Sequence, residues 1–114
     1  MKIIVNALRE QYSAGLNCLK NNVLIITFDM RKAIIASANQ FDELAELIEK
    51  SEGIINLNSR EKELAMTALL GSMERRKKFF SNDGTHCAFI PISVSNQLRA
   101  EIRTLNHELN QLNE

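Results

Sequence analysis

Apolar residues recur at alternating steps of three and four over most of the chain, the spacing that places side chains on one face of an α-helix. In the first third, the stripe consists of Leu16, Leu19, Val23, Ile26, Met30 and Ala33. This coiled-coil-like spacing predicts one long helix over residues 3–38. The β-branched content of residues 23–28 leaves a short strand there as the alternative.

Two further helices are predicted from the middle of the sequence. Asn39 is a suitable N-cap for a helix over residues 40–56. Asn58 or Ser59 is suited to cap a helix over residues 60–80, with Glu61 in its first turn. Because few residues would join these two helices, we expect them to pack antiparallel.

The last part of the chain predicts a linker and a fourth helix. Gly84 and Pro91 favour a linker over residues 81–95, and Ser93 or Ser95 would open a helix over residues 96–112. Such a short amphipathic helix is marginal alone in water, so its apolar stripe must be buried on this chain or on another. The predicted fold is therefore an all-α antiparallel bundle of three helices plus a shorter, detachable fourth, in one domain over residues 1–114.

A partner-binding surface is the only functional site that the pattern itself suggests. The fourth helix carries a five-residue stripe, and a groove between the second and third helices is its expected seat. The candidate partner-binding residues are Leu44, Ile48, Leu69, Met73, Leu98, Ile102, Leu105, Leu109 and Leu112. We expect a client helix to compete with the fourth helix for that groove.

Composition limits the kinds of molecule that the protein is expected to bind and the cellular compartment in which it is expected to occur. The 114 residues include 14 basic and 14 acidic side chains, so no net field draws the chain to nucleic acid or to anionic lipid. The amino terminus lacks the apolar core of a signal peptide, and no apolar run is long enough to insert into a membrane. Cys18 and Cys87 are far apart and form no CxxC pair, which is typical of two thiols in a reducing compartment. We expect a cytoplasmic protein.

Catalytic, metal and cofactor chemistry find no support in the sequence. His86 and Cys87 are adjacent, and neighbouring side chains diverge on an extended backbone, so they make a poor nucleophile and base. Cys18 and His107 do not complete a four-ligand zinc spacing with them. We therefore predict no catalytic residue, no metal ligand and no cofactor.

The basic run Arg75-Arg76-Lys77-Lys78 is the one sequence feature that suggests nucleic acid. Cations at a helix carboxyl end are also favoured by the helix dipole, so we do not expect a nucleic-acid partner. In the antiparallel arrangement, this run would lie beside the acids Asp42, Glu43 and Glu46 of the second helix.

A family resemblance is carried by residues 33–57. There, a long helix ends in small residues, an aromatic-Asp-Glu-Leu segment follows, and a Gly-Ile-Ile-x-Leu tail closes the stretch. The matching residues are Ala36, Ala38, Phe41, Asp42, Glu43, Leu44, Leu47, Ile54, Ile55 and Leu57. This order resembles the filament-cap chaperones among the small helical export chaperones of flagellar type III secretion.

The resemblance implies a cytoplasmic, non-enzymatic chaperone that binds a segment of a secreted protein. It further implies a fourth helix that covers the binding surface on the second and third. Two alternatives stay open: a small regulator that binds a transcription factor or nucleic acid, and a homodimer in which the fourth helix forms the seam.

Overall fold

The described residues of the chain form four α-helices. The structure, a computed structural model, describes residues 2–22, 25–51, 56–80 and 91–112. The helices are α1 (Lys2–Asn21), α2 (Phe28–Lys50), α3 (Ser59–Lys77) and α4 (Ile92–Leu112). The described ranges contain no β-strand. The predicted all-α fold is confirmed.

The predicted single helix over residues 3–38 is wrong, because the chain turns back between α1 and α2. Asn22 ends α1, and its side-chain amide donates a hydrogen bond to the Cys18 carbonyl at 2.8 Å. Thr27 caps α2, since its hydroxyl accepts a hydrogen bond from the Met30 N–H at 3.2 Å. Local hydrogen bonds of this kind compete with helix continuation. The heptad spacing did not detect the turn, because the apolar residues on its two sides keep the same steps of three and four.

The neighbouring boundary predictions change with that turn. Asn39 lies inside α2 rather than capping a new helix. Of the predicted helix over residues 40–56, residues 40–50 are the second half of α2, and residues 52–55 lie outside the described residues. Within residues 23–28, Val23 and Leu24 lie outside the described residues. The described remainder forms no strand, and residue 28 already belongs to α2.

The start of α3 follows the prediction closely. The Asn58 side chain accepts a hydrogen bond from the Glu61 N–H at 2.8 Å, and the Glu61 carboxylate accepts one from the Asn58 N–H at 2.9 Å. This reciprocal capping box satisfies two backbone donors that the helix itself leaves unpaired. The predicted cap at Asn58 is confirmed, although α3 ends at Lys77 rather than at residue 80.

α4 begins four residues earlier than predicted. It starts at Ile92, directly after Pro91, whose carbonyl accepts a hydrogen bond from the Ser95 N–H at 3.0 Å. Proline suits this place because it has no N–H to leave unpaired at a helix start. Ser93 and Ser95 therefore lie inside the helix. Of the predicted linker, residues 81–90 lie outside the described residues.

α1 is the central helix of the bundle. It packs along α2 and against α3, and α3 packs in turn against α4, whereas α2 and α3 touch only slightly. α1 and α2 form an antiparallel hairpin, because Arg9 pairs with Glu49 at one end and Gly15 faces Ala38 further along. A Cβ atom on Gly15 would lie 3.1 Å from the Ala38 Cβ, so glycine permits this close approach.

The core occupies only one half of that hairpin. It joins the first half of α1 and the second half of α2 to α3 and to one residue of α4. Its buried members are Ile4, Val5, Ala7, Leu8, Phe41, Leu44, Ala45, Ile48, Ala65, Ala68, Leu69, Met73 and Leu105. In the other half of the hairpin, Leu19 and Ala38 are the buried residues within the described range. We call that half, residues 12–22 and 25–39, the distal arm.

Candidate functional site

The predicted partner-binding residues are mostly gathered in the core. Leu44, Ile48, Leu69, Met73 and Leu105 are buried in the same cluster. Ile102, Leu109 and Leu112 are partly buried and pack against it. Leu98 is half-buried and does not belong to the cluster. The α4 stripe thus covers apolar surface that would otherwise face water.

The seat of α4 is formed by α3 and α1. α4 packs chiefly against α3, and α1 lies where the sequence analysis expected the groove between the second and third helices. The α3–α4 pair is antiparallel, since Arg76 contacts Glu101 and Phe80 lies beneath the Arg99 guanidinium. Leu105 is the one buried apolar residue of α4, whereas each of the other three helices buries at least four, so α4 is the least buried of the described helices.

An open cleft of about 430 Å³ runs between α4 and α1. Ile3 and Ala7 of α1 form one side, and Ala100, Thr104 and Leu105 of α4 form the other. The floor is therefore largely apolar. Charged side chains from three helices close one end of the cleft.

Those charged residues are Glu10, Arg76 and Glu101, which we call the clasp. The Arg76 guanidinium donates hydrogen bonds to the Glu10 carboxylate at 3.0 and 3.2 Å. Its Nε donates to Glu101 at 2.8 Å. The Arg76 side chain is 22% exposed, so these bonds form in a half-dry environment where charge-assisted hydrogen bonds are strong. The clasp thereby ties α4 to both α3 and α1.

Neighbouring side chains hold the clasp in place. Ser72 is fully buried and donates its hydroxyl hydrogen to the Glu10 carboxylate. Arg75 donates to Gln11 at 3.2 Å and to the Ser72 hydroxyl at 3.3 Å. Arg76 also donates to the Ser72 carbonyl one turn earlier at 3.1 Å. Glu10 is thus surrounded by donors from α3.

The pKa values of the clasp follow from this geometry. Burial acts to raise the pKa of Glu10, but hydrogen bonds from Arg76 and Ser72, with the charges of Arg76 and Arg75, lower it overall. The hydrogen bond to Glu10 raises the pKa of Arg76, against the opposing effect of burial. Both groups are therefore held in their charged forms.

The expected pairing of the basic run with the second helix is wrong. Arg75 and Arg76 pair with Glu10, and Arg76 also pairs with Glu101, because α1 and α4 flank α3 at this end. Sequence reasoning missed the clasp because Glu10 and Arg76 are 66 residues apart. The available signal was weak: Glu10 is a single acid beside the apolar stripe of α1.

The residues considered for catalysis or metal binding are scattered. Cys18 is an exposed free thiol on α1, and His107 is exposed on α4, where its ring lies 3.2 Å from the Gln111 amide. His86 and Cys87 lie outside the described residues. Over the described ranges, His, Cys, Asp and Glu side chains form no group of three that could share a metal ion. No helix in these ranges has the length and hydropathy needed to cross a bilayer.

The distal arm is a second candidate surface. The apolar stripe of α2 that is buried at Phe41, Ala45 and Ile48 continues toward the helix start as Ile34, partly exposed, and Met30, 49% exposed. The exposed apolar residues of the arm are Leu16, Ile25, Phe28, Met30 and Ile35. These residues lie on α1, between the two helices and on α2, and their exposure makes the arm a candidate interaction surface.

Comparison with models of known families, with curated proteins and with solved structures gave no match.

Proposed function

We propose that this protein is a non-enzymatic adaptor or chaperone that binds an amphipathic helix of a client protein in the seat of α4. The client helix takes the place of the α4 stripe against α3 and α1. The observation that carries the proposal is the shallow burial of α4, in which Leu105 is the one buried stripe residue while the others stay partly exposed. A client helix that buries more apolar surface in the same place can displace a helix that buries so little.

The cleft and the clasp add to this support. The 430 Å³ cleft beside Ala7 and Leu105 lets a client helix make its first apolar contacts before any core residue moves. Glu10 and Arg76 are polar groups at its end, where they could receive polar groups of a client after Glu101 withdraws. A groove with apolar walls and a charged end is a common seat for an amphipathic helix.

The client class follows from the resemblance to flagellar export chaperones over residues 33–57. On that basis, the client is a helical segment of a secreted protein, and α4 regulates its access. The exposed free thiol of Cys18 is consistent with a cytoplasmic, reducing setting.

The nucleic-acid alternative is less favoured by the contacts. Arg75 and Arg76, half of the basic run, are engaged with Glu10, and Arg76 also with Glu101, so their charge is already compensated within the chain. Phosphate binding would have to displace these acids, which lowers the electrostatic gain.

Release of α4 in the full chain tests the proposal. Leu105→Ala truncates the one buried apolar side chain of α4 and should weaken the packing of α4 on the bundle by about 2–3 kcal/mol. Used as bait in lysate of the source cell, this variant should retain more of one client than the wild type does. A synthetic peptide of residues 92–112 should compete for that client, because both would occupy the same seat.

The matched control is Leu70→Ala on α3. The Leu70 side chain is 46% exposed, so its removal does not loosen the packing of α4. It should leave client retention unchanged. If Leu105→Ala retains no more client than the wild type, or the peptide fails to compete, then α4 is ordinary core and the client does not bind in its seat. A chain ending at residue 80 lacks α4 and tests whether the other three helices fold without it. We expect this chain to keep a helical circular dichroism spectrum.

A further inference from the structure

One exposed stripe of α2 is unused by the intrachain packing. Its exposed residues are Phe28, Lys32, Ile35, Asn39, Glu46 and Lys50, which follow steps of four and three along the solvent side of the helix once the partly exposed Asp42 between Asn39 and Glu46 is included. All six are exposed, and Phe28 is 70% exposed. The same spacing marks the contact seam of two packed helices. This stripe lies on a different side of α2 from the buried residues Phe41, Ala45 and Ile48.

Charge is divided unequally along α2. The half before Asn39 carries Asp29, Arg31 and Lys32, two bases and one acid. The half after it carries the acids Asp42, Glu43, Glu46 and Glu49 against the single base Lys50. One half is therefore net basic by one charge and the other net acidic by three. Such a helix is complementary to a second copy of itself in the antiparallel direction.

We propose that α2 is the interface of an antiparallel homodimer whose two-fold axis passes near Asn39. Asn39 is the middle residue of the helix Phe28–Lys50. Lys32 and Glu46 lie seven residues before and after it, so each Lys32 meets Glu46 of the other copy. The two Asn39 side chains meet at the axis, where their amides can hydrogen-bond to each other.

The same symmetry accounts for exposed apolar residues. Phe28 is placed opposite Lys50 of the second copy, one turn from Leu47, which is 47% exposed although it lies in the acidic half of α2. Two helices of this length can touch over about 35 Å. A parallel arrangement would instead place like charges together, which is unfavourable.

Charge complementarity is what favours a second copy over another occupant. A foreign helix or an anionic lipid surface could contact Phe28 and Lys32, but neither accounts for the matching acid at the symmetry-related position Glu46. This dimer leaves α4 and its seat uninvolved, so it is independent of the proposed client binding.

Sedimentation equilibrium of the full chain tests the dimer. We expect a dimer that dissociates as salt is raised, because screening weakens the Lys32–Glu46 contacts. Phe28→Ser should weaken dimerisation about tenfold, because it removes an aromatic contact from each end of the two-fold symmetric interface. The control Ile92→Ser removes an equally exposed apolar residue, 79% exposed, from α4 and should change nothing.

A charge exchange tests the register. Lys32→Glu and Glu46→Lys should each weaken dimerisation about tenfold by opposing like charges, and the double variant should recover to within about threefold of wild type. Separately, Asn39→Cys in a Cys18→Ser, Cys87→Ser background should form an interchain disulfide on mild oxidation. Glu63→Cys, exposed on α3, should not.

Several results would overturn the proposal. A chain that is monomeric at roughly 100 μM in low salt has no such interface. A dimer that is insensitive to Phe28→Ser, or that is not restored by the charge exchange, uses another surface. If Phe28→Ser abolishes binding to vesicles of anionic lipid while the wild type stays monomeric, then the stripe serves a membrane surface.

Discussion

Removal of Arg76 should destabilise the fold, because this side chain joins three helices. Arg76 donates to Glu10 twice, to Glu101 and to the carbonyl of its own preceding turn. In Arg76→Leu, the Glu10 carboxylate keeps only Ser72 and the more distant Arg75, at 3.8 Å.

The expected cost is intermediate between that of a surface pair and that of a buried pair. Hydrogen bonds to charged groups contribute about 1.5–3 kcal/mol each where water is excluded. The carboxylates of Glu10 and Glu101 are 39% and 36% exposed, so water regains part of each bond once Arg76 is gone. With that discount for solvent screening, we expect a total loss of about 2 kcal/mol in the free energy of unfolding.

Urea unfolding followed by circular dichroism at pH 7 measures this loss, and a double-mutant cycle isolates its cause. Glu10→Gln alone, Arg76→Leu alone and the two together should reveal a coupling of about 1 kcal/mol between the two positions. Lys77→Leu, an exposed neighbour on α3, is the matched control and should change the stability by less than about 0.5 kcal/mol. Coupling below about 0.3 kcal/mol would refute the clasp as a stabilising contact.

Three further predictions follow from local geometry. The pKa of Glu10 in the folded chain is below its ordinary value of 4.5, so its contribution to stability is complete above pH 4.5 and is lost as the pH falls through the lowered pKa. Urea unfolding at stepwise lower pH should therefore show the free energies of unfolding of Glu10→Gln and the wild type converging as acid is added. Gly15→Ala would place a methyl group 3.1 Å from the Ala38 Cβ, so thermal unfolding should show that overpacking cancels the gain of about 1 kcal/mol that alanine offers in a helix. Asn58→Ala should cost about 1 kcal/mol in urea unfolding, because it removes the acceptor for the Glu61 N–H; an unchanged midpoint would contradict the capping box.

The sequence was informative where the evidence is local. The cap at Asn58 needs only Glu61 three residues later, and the stripe around Leu105 is visible as a spacing. Both were therefore predictable. These signals also sufficed for the all-α fold.

The sequence was uninformative at the turn between α1 and α2, because the apolar spacing continues through it. Leu19 and Ile26 fit one helical stripe by their spacing, whereas in the structure Leu19 is buried on α1 and the partly exposed Ile26 lies between α1 and α2. Asn22 and Thr27 were the available signals for the turn, but neither residue type is specific to a helix boundary.

The clasp and the dimer stripe depend on the packing rather than on any local pattern. Glu10 contacts Arg76 only because α1 lies against α3. That packing could not be predicted while α1 and α2 were taken for one helix. Likewise, the stripe around Asn39 became visible as one continuous face only when residues 28–50 proved to be a single helix.

Hydrogen exchange of the full chain at the α4 amides tests most directly whether α4 is a displaceable cover. We expect the amides near Leu105 to exchange through local opening, at a free energy clearly below that of the α3 amides near Leu69, which is fully buried. Glu101→Gln should speed the exchange of α4 further while leaving that of α3 unchanged, because it loosens the clasp at α4 alone. If the α4 and α3 amides exchange at the same free energy, α4 opens only with the whole fold, and a client could not take its place.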